Sequence, residues 1–153
     1  LQRLLQYAGH PYKKFLMKII IMPVYDYKDD HRPPKWDKDK KSKWTVKIKE
    51  EEEIFFHGYN QNWLHEESES IWAIKVEDES PLVIGEDYRP KYKGKNECIN
   101  LVVAKFVKHR ENHWHGYPVN TISDFPPSDI LKKWEQSPGV KKKTIVKLNR
   151  AIK

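Results

Sequence analysis

CINLVVAKFV, at positions 98–107, is the strongest strand candidate in the chain and decides the expected fold. It is rich in apolar and β-branched residues, which favour strands. WHGYPVNTI (114–122) adds a short strand downstream. Four further segments upstream have apolar or alternating strand patterns, and the last two are close enough to form a hairpin. They are 18–27, 45–59, 70–78 and 81–87. Within 18–27, Pro23 suggests an edge strand or a bulge.

The spacing of apolar residues changes near the C-terminus, where they recur at the intervals of a helix. Ser128 has the side chain of an N-cap and Asp129 suits the first turn of a helix. A second helix is predicted within 141–153, with Ile145 and Leu148 on its apolar face. Strands followed by helices predict an α+β fold: a mainly antiparallel sheet of about five to seven strands with the C-terminal helices packed on it.

A chain of 153 residues has the size of one domain. We predict that residues 17–153 form this domain, and that residues 1–16 are a leader or tag-like helix, since Met17 follows them. Residues 28–44 are dense in charge and contain Pro33-Pro34. This composition is typical of an exposed, mobile basic loop.

The cellular location follows from the single cysteine and from hydropathy. Cys98 cannot form an intrachain disulfide, which favours a reducing compartment. The longest apolar run, 15–24, contains a lysine and is too short to span a bilayer, and the order of a signal peptide is absent. The expectation is a cytoplasmic protein that makes no membrane contact.

The net charge of +7 is unevenly distributed along the chain. Residues 28–49 hold nine cations and four carboxylates, whereas residues 50–90 hold twelve carboxylates and two cations. Residues 91–153 return to fourteen cations against five carboxylates. The basic segments favour a polyanionic partner, and the alternative is that the acidic middle segment neutralises them in the fold.

A tripeptide, His-Gly-Tyr, occurs twice, in FFHGYNQN (55–62) and HWHGYPVN (113–120). With seven His, six Gly and eight Tyr in the chain, a shuffled sequence would contain far fewer than one copy. Both copies follow a short alternating segment, which suggests two similar strands. We predict that a turn or bulge at each glycine aims His57 and His115 into one groove. The alternative is a purely structural role.

Paired histidines could act as general base and general acid on a phosphodiester, because both titrate near neutrality. Tyr59 and Tyr117 would orient the substrate, and Lys47 and Lys105 would contact phosphate. Two-histidine phosphoesterases use similar logic, but they carry Ser or Thr two residues after each histidine. Tyr occupies these positions here, so the similarity is one of mechanism and no family is identified.

Histidines at 109, 113 and 115 form an alternative metal-binding pattern, with Cys98 as a fourth ligand. The spacing matches no established zinc finger, and Lys108 and Arg110 would repel a cation. We therefore predict no metal and no other cofactor. Glycine-rich phosphate loops and the usual hydrolase motifs are absent from the sequence.

Aromatic residues alternate with cations in two segments, as in proteins that stack bases and contact phosphates. The residues predicted to bind nucleic acid are Trp36, Trp44, Tyr88, Arg89, Tyr92 and Lys93, together with Lys47 and Lys105. We predict a small basic protein that binds RNA or other single strands, with a metal-independent ribonuclease or phosphodiesterase activity as an extension. The alternative is a protein-binding module, such as an immunity, antitoxin or phage-encoded inhibitor protein, since aromatic anchors also suit protein interfaces.

Overall fold

A computed structural model describes residues 22–90 and 98–151. The predicted helix within residues 1–16 lies outside these ranges, as do Tyr92 and Lys93. Over the described residues the strands are β1 (Val24–Tyr25), β2 (Lys43–Trp44), β3 (Leu64–His65), β4 (Ser70–Ile74), β5 (Val76–Glu77), β6 (Ser80–Pro81), β7 (Gly85–Asp87), β8 (Ile99–Leu101), β9 (Val103–Arg110) and β10 (His113–Val119). The helices are α1 (Ile48–Asn60), α2 (Ser128–Gln136) and α3 (Lys142–Ala151).

The α+β class is confirmed, and the main sheet has five strands in the order β1-β10-β9-β4-β3. Its pairings are antiparallel except that β1 runs parallel to β10. A three-stranded sheet, β2-β7-β8, and a small β5-β6 hairpin complete the described strands. Both C-terminal helices are present. In the described part of the chain, none of the helices has the length and apolar character to cross a bilayer.

The segment 98–107 belongs to two sheets at once. Leu101 pairs with Gly85 in the three-stranded sheet, and Val103 pairs with Ile74 and Val119 in the main sheet. The chain changes sheets at Val102, which lies between β8 and β9. This stretch therefore holds the two sheets together.

One strand prediction is wrong: most of the strand candidate 45–59 belongs to helix α1, which begins at Ile48 and ends at Asn60. The alternation of Val46 and Ile48 covers only four residues, whereas Glu51, Ile54, Phe55 and Gly58 are buried at helical spacing. Carboxylates in the first turn favour a helix because they lie beside its positive end. The repeated tripeptide is therefore helical in one copy and extended in the other.

Both glycines of the repeated tripeptide provide space for packing. A Cβ atom on Gly58 would lie 2.9 Å from the Ile71 side chain and 3.1 Å from that of Ala73. A Cβ atom on Gly116 would overlap the ring of Phe106. Neither glycine has a positive φ. The shared sequence reflects two separate close approaches rather than a duplicated turn.

Candidate functional site

His57 and His115 lie on opposite faces of the main sheet. Gly58 places α1 against Ile71. Ile71 pairs with Phe106, and Phe106 pairs with Gly116. These three positions therefore lie on the same face of the sheet, the face that α1 covers. Side chains alternate along a strand, and His115 therefore points to the other face.

The predicted groove with two histidines is therefore wrong. His57 is exposed on α1, where its ring meets the edge of Trp63 with centroids 5.0 Å apart. Tyr59 is also on α1 and 37% exposed. His115 instead contacts His109, with their Nδ1 atoms 3.0 Å apart. Burial lowers the pKa of His115, and the neighbouring His109 adds to this effect.

A cavity of about 340 Å³ opens on the His115 side of β10, and we call it the groove. Its walls are formed by the 28–44 segment, by the end of β7, and by β10 together with the loop that follows β10. The 28–44 segment is anchored here because the Ser42 hydroxyl donates to the Pro118 carbonyl at 2.6 Å. The principal lining side chains are His31, Lys40, Lys41, Arg89, Tyr117 and Asn120.

Stacked rings form one wall of the groove. The imidazole of His31 lies on the ring of Tyr117, with centroids 5.5 Å apart and planes 12° apart. His31 Nδ1 is 2.8 Å from the Ser42 carbonyl oxygen, so this nitrogen carries the proton. Burial lowers the pKa of His31 and raises that of Tyr117. Both rings are thus favoured as neutral platforms near pH 7.

A buried carboxylate organises the floor of the groove. Asp87 is fully buried and accepts hydrogen bonds from Arg89 Nη2 at 2.6 Å and from the Asn120 amide at 3.0 Å. Burial acts to raise the pKa of Asp87, but the hydrogen bonds from Arg89 and Asn120 outweigh it and hold the pKa below the ordinary value. Arg89 is consequently fixed at the groove rather than extended into solvent.

An aromatic pair lies beside the groove. Trp36 and Tyr88 meet edge to face with centroids 5.4 Å apart, and the Trp36 indole donates to the Lys41 carbonyl at 2.8 Å. The Lys43 ammonium lies 5.0 Å from the Trp36 ring and 5.2 Å from the Tyr88 ring, within the range of cation–π attraction. A hydrogen bond to Glu86 raises the pKa of Tyr88 to about 12. These contacts connect the 28–44 segment to Tyr88, which is far from it in sequence.

Carboxylates neutralise two lysines of the groove and one lysine that was predicted to contact phosphate. Lys41 pairs with Asp30, Lys40 lies 3.2 Å from Asp37, and Lys105 lies 2.8 Å from Asp124. Each of these pairs lies within one basic segment, whereas the alternative, neutralisation by the acidic middle segment, is supported by the Lys43–Glu86 pair at 3.0 Å. A polyanion in the groove would exchange with these carboxylates rather than meet bare cations.

Two predicted contact residues have other roles. Trp44 is 3% exposed and packs near Phe106, so its ring is not available for stacking on a base. Lys47 precedes α1, where its backbone N–H donates to Glu50 at 3.1 Å. Lys105 lies apart from Lys47, with its ammonium 4.6 Å from the Trp72 ring.

The three predicted histidine ligands lie close together, and two of them contact a residue that the sequence did not indicate. The Asp26 carboxylate is 2.8 Å from His109 Nε2 and 2.9 Å from His113 Nδ1. His115 contacts His109 rather than Asp26. Cys98, the fourth ligand in that prediction, lies beside Tyr88 instead.

Comparison with known proteins gives no relative: no family model, curated protein or solved structure matches the chain.

Proposed function

We propose that this protein binds single-stranded nucleic acid, RNA above all, in the groove and across the adjoining Trp36–Tyr88 pair. The observation that carries the proposal is that stacked rings and three cations meet in one cavity. Lys40, Lys41 and Arg89 lie beside the neutral His31–Tyr117 stack. Cations bind the phosphates of a single strand, and its unpaired bases stack on flat rings, so this combination suits a flexible single strand.

A duplex fits the groove less well than a single strand. Bases in a duplex are stacked on each other and cannot lie on protein rings without being extruded. The cavity of about 340 Å³ is the size of a site for one or two nucleotides rather than for a helical groove. We therefore propose RNA or single strands as the ligand, in a protein of the cytoplasm.

The neutralised cations set the expected strength of binding. Each lysine must exchange a carboxylate for a phosphate, so the electrostatic gain per contact is small. Binding should consequently be moderate and weaken as salt is added, because phosphate contacts release counterions. Cleavage by paired histidines is not part of this proposal, because His57 and His115 lie on opposite faces of the sheet.

The test replaces two groove lysines and compares them with two lysines elsewhere. We expect Lys40→Gln/Lys41→Gln to weaken binding of a labelled oligouridylate about tenfold at low salt and to flatten the salt dependence. The control, Lys132→Gln/Lys142→Gln, removes the same charge from exposed positions on α2 and α3. Fluorescence anisotropy at several salt concentrations measures both variants. Equal losses in the two variants, or no RNA binding by the wild type, would overturn the proposal.

A second candidate is a protein-binding module, such as an immunity, antitoxin or inhibitor protein. Two large apolar side chains favour it: Ile122 is 59% exposed and Phe125 is 45% exposed, both in the loop that continues from Asn120. Exposed apolar side chains beside a polar rim are typical of protein interfaces. Purification of one stoichiometric protein partner together with failure to bind RNA would favour this candidate.

A further inference from the structure

Strand pairing brings Asp26, His109 and His113 to one point beside the β9–β10 turn. β1 runs parallel to β10, and the Asp26 backbone N–H donates to the Trp114 carbonyl at 2.7 Å. The pairing of β9 with β10 passes from Arg110 to Lys108, so His109 is the extra residue of a bulge. Bulges redirect side chains, and this one turns His109 towards Asp26.

We propose that Asp26, His109 and His113 form a binding site for a divalent transition-metal ion of the zinc type. The three ligand atoms lie within 4.8 Å of one another. Asp26 Oδ2 is 2.8 Å from His109 Nε2 and 2.9 Å from His113 Nδ1, so each pair needs to open by only about 0.4–0.5 Å to reach the separation of about 3.3 Å between two ligands of one tetrahedral zinc ion. The proposal is independent of RNA binding.

Imidazole nitrogens and a carboxylate oxygen together select the class of metal. Two imidazoles with one carboxylate bind Zn²⁺ and neighbouring first-row ions, whereas Ca²⁺ and Mg²⁺ prefer oxygen ligands alone. The side chains of the three ligands are 25–29% exposed, so an ion can enter and keep water in its remaining positions.

His115 supplies the outer contact that metal-bound histidines usually make. With Nε2 of His109 directed to the ion, its Nδ1 carries the proton and donates to His115 Nδ1 at 3.0 Å. Such a contact fixes the ring orientation and the tautomer of a ligand. His115 is therefore a positioning residue rather than a ligand.

The Arg110 guanidinium opposes metal binding. Arg110 Nη2 is 3.2 Å from His113 Nδ1, the nitrogen that also faces Asp26. Arg110 is exposed, so it can turn into solvent when an ion takes this nitrogen. Removing its side chain should therefore strengthen metal binding, a result that a simple ion-pair cluster would not give.

The experiment uses the chain without a polyhistidine tag and titrates Zn²⁺ against a chromophoric chelator. We expect one equivalent to bind, and Asp26→Asn or His113→Gln to weaken binding at least about a hundredfold. His115→Gln should cost about tenfold, and Arg110→Ala should tighten binding several-fold. The control is His57→Gln, which should leave the affinity within about twofold, because His57 lies on α1 away from the cluster.

A second readout does not depend on the variants folding. Co²⁺ added to the wild type should give visible absorption bands of low coordination number, and Zn²⁺ should shift the ring resonances of His109 and His113. The proposal is overturned if the wild type binds neither ion at millimolar concentration. Binding that is unchanged in both ligand variants would overturn it equally.

Discussion

Replacing Arg32 with alanine is expected to lower the free energy of unfolding by about 3–5 kcal/mol, because it leaves a buried carboxylate without its cation. Arg32 Nη2 donates to Glu51 Oε2 at 2.7 Å, and Nη1 donates to the Val46 carbonyl at 2.6 Å. Glu51 is fully buried on the sheet side of α1 and also accepts the Tyr25 hydroxyl. The arginine thus links the 28–44 segment to α1.

The pH dependence of this loss identifies its cause. Burial raises the pKa of Glu51, and the hydrogen bonds from Tyr25 and Arg32 only partly offset this. Without Arg32 the pKa should rise further. A carboxyl whose folded pKa exceeds its unfolded pKa favours folding increasingly as pH falls through the folded value. The difference between wild type and Arg32→Ala should therefore be smaller at pH 5 than at pH 7.

Urea denaturation at both pH values measures this effect. The matched control is Lys35→Ala, which breaks an exposed pair with Asp29 and should change the free energy of unfolding very little. A loss of the same small size for Arg32→Ala would show that this pair does not hold the segment in place. If the difference in stability between wild type and Arg32→Ala were larger at pH 5 than at pH 7, the buried carboxylate would be excluded as the cause of the loss.

Asp87→Ala is the second large change, with an expected loss of about 3 kcal/mol at pH 7. The carboxylate accepts the Arg89 backbone N–H at 2.9 Å, the Arg89 guanidinium and the Asn120 amide, and all of these donors would lose their buried acceptor. Glu86→Ala, one residue away, removes a partly exposed pair with Lys43 and should cost less than about 1 kcal/mol.

The pKa of Asp87 sets the pH range of this prediction. Hydrogen bonds hold it below the ordinary value of 3.8 despite burial, so Asp87 stabilises the fold above about pH 4. That contribution is lost as pH falls through the folded pKa. The wild type and Asp87→Ala should therefore converge in stability below about pH 4. Urea denaturation at pH 7 and at low pH measures the difference, and a constant gap at all pH values would contradict the assignment.

The sequence predicted the elements whose apolar pattern is regular. β9, β10 and the two C-terminal helices have long periodic faces, and each overlaps the segment that the pattern indicated, although 98–107 divides into β8 and β9 at Val102. α1 was missed because the short alternation at 45–48 and the repeated tripeptide both favoured a strand. The spacing of Ile54, Phe55 and Gly58 after a run of glutamates was the available signal for a helix.

The candidate sites were predictable only as separate residues. Trp36, Tyr88, Arg89 and Tyr117 were identified by type, but the pairing of β2 with β7 and β10 with β9 decides that they are neighbours. Asp26 lies 87 residues from His113, and no local pattern relates a carboxylate to histidines at that separation. Trp44 was predicted to bind nucleic acid because it lies among lysines in the sequence, but its ring is buried in the core.

The most direct test of the proposed function follows the indole N–H signals during a titration with RNA. The chain has six tryptophans, and a ¹⁵N-labelled sample with a Trp36→Phe reference identifies the Trp36 signal. Adding an oligouridylate of about ten nucleotides should shift the Trp36 signal saturably. The signals of Trp63 and Trp134, whose indoles bond to Ser137 and to the Trp72 carbonyl in the interior, should stay in place. RNA that binds without moving the Trp36 signal, or that moves only the interior indoles, would contradict the groove as the binding site.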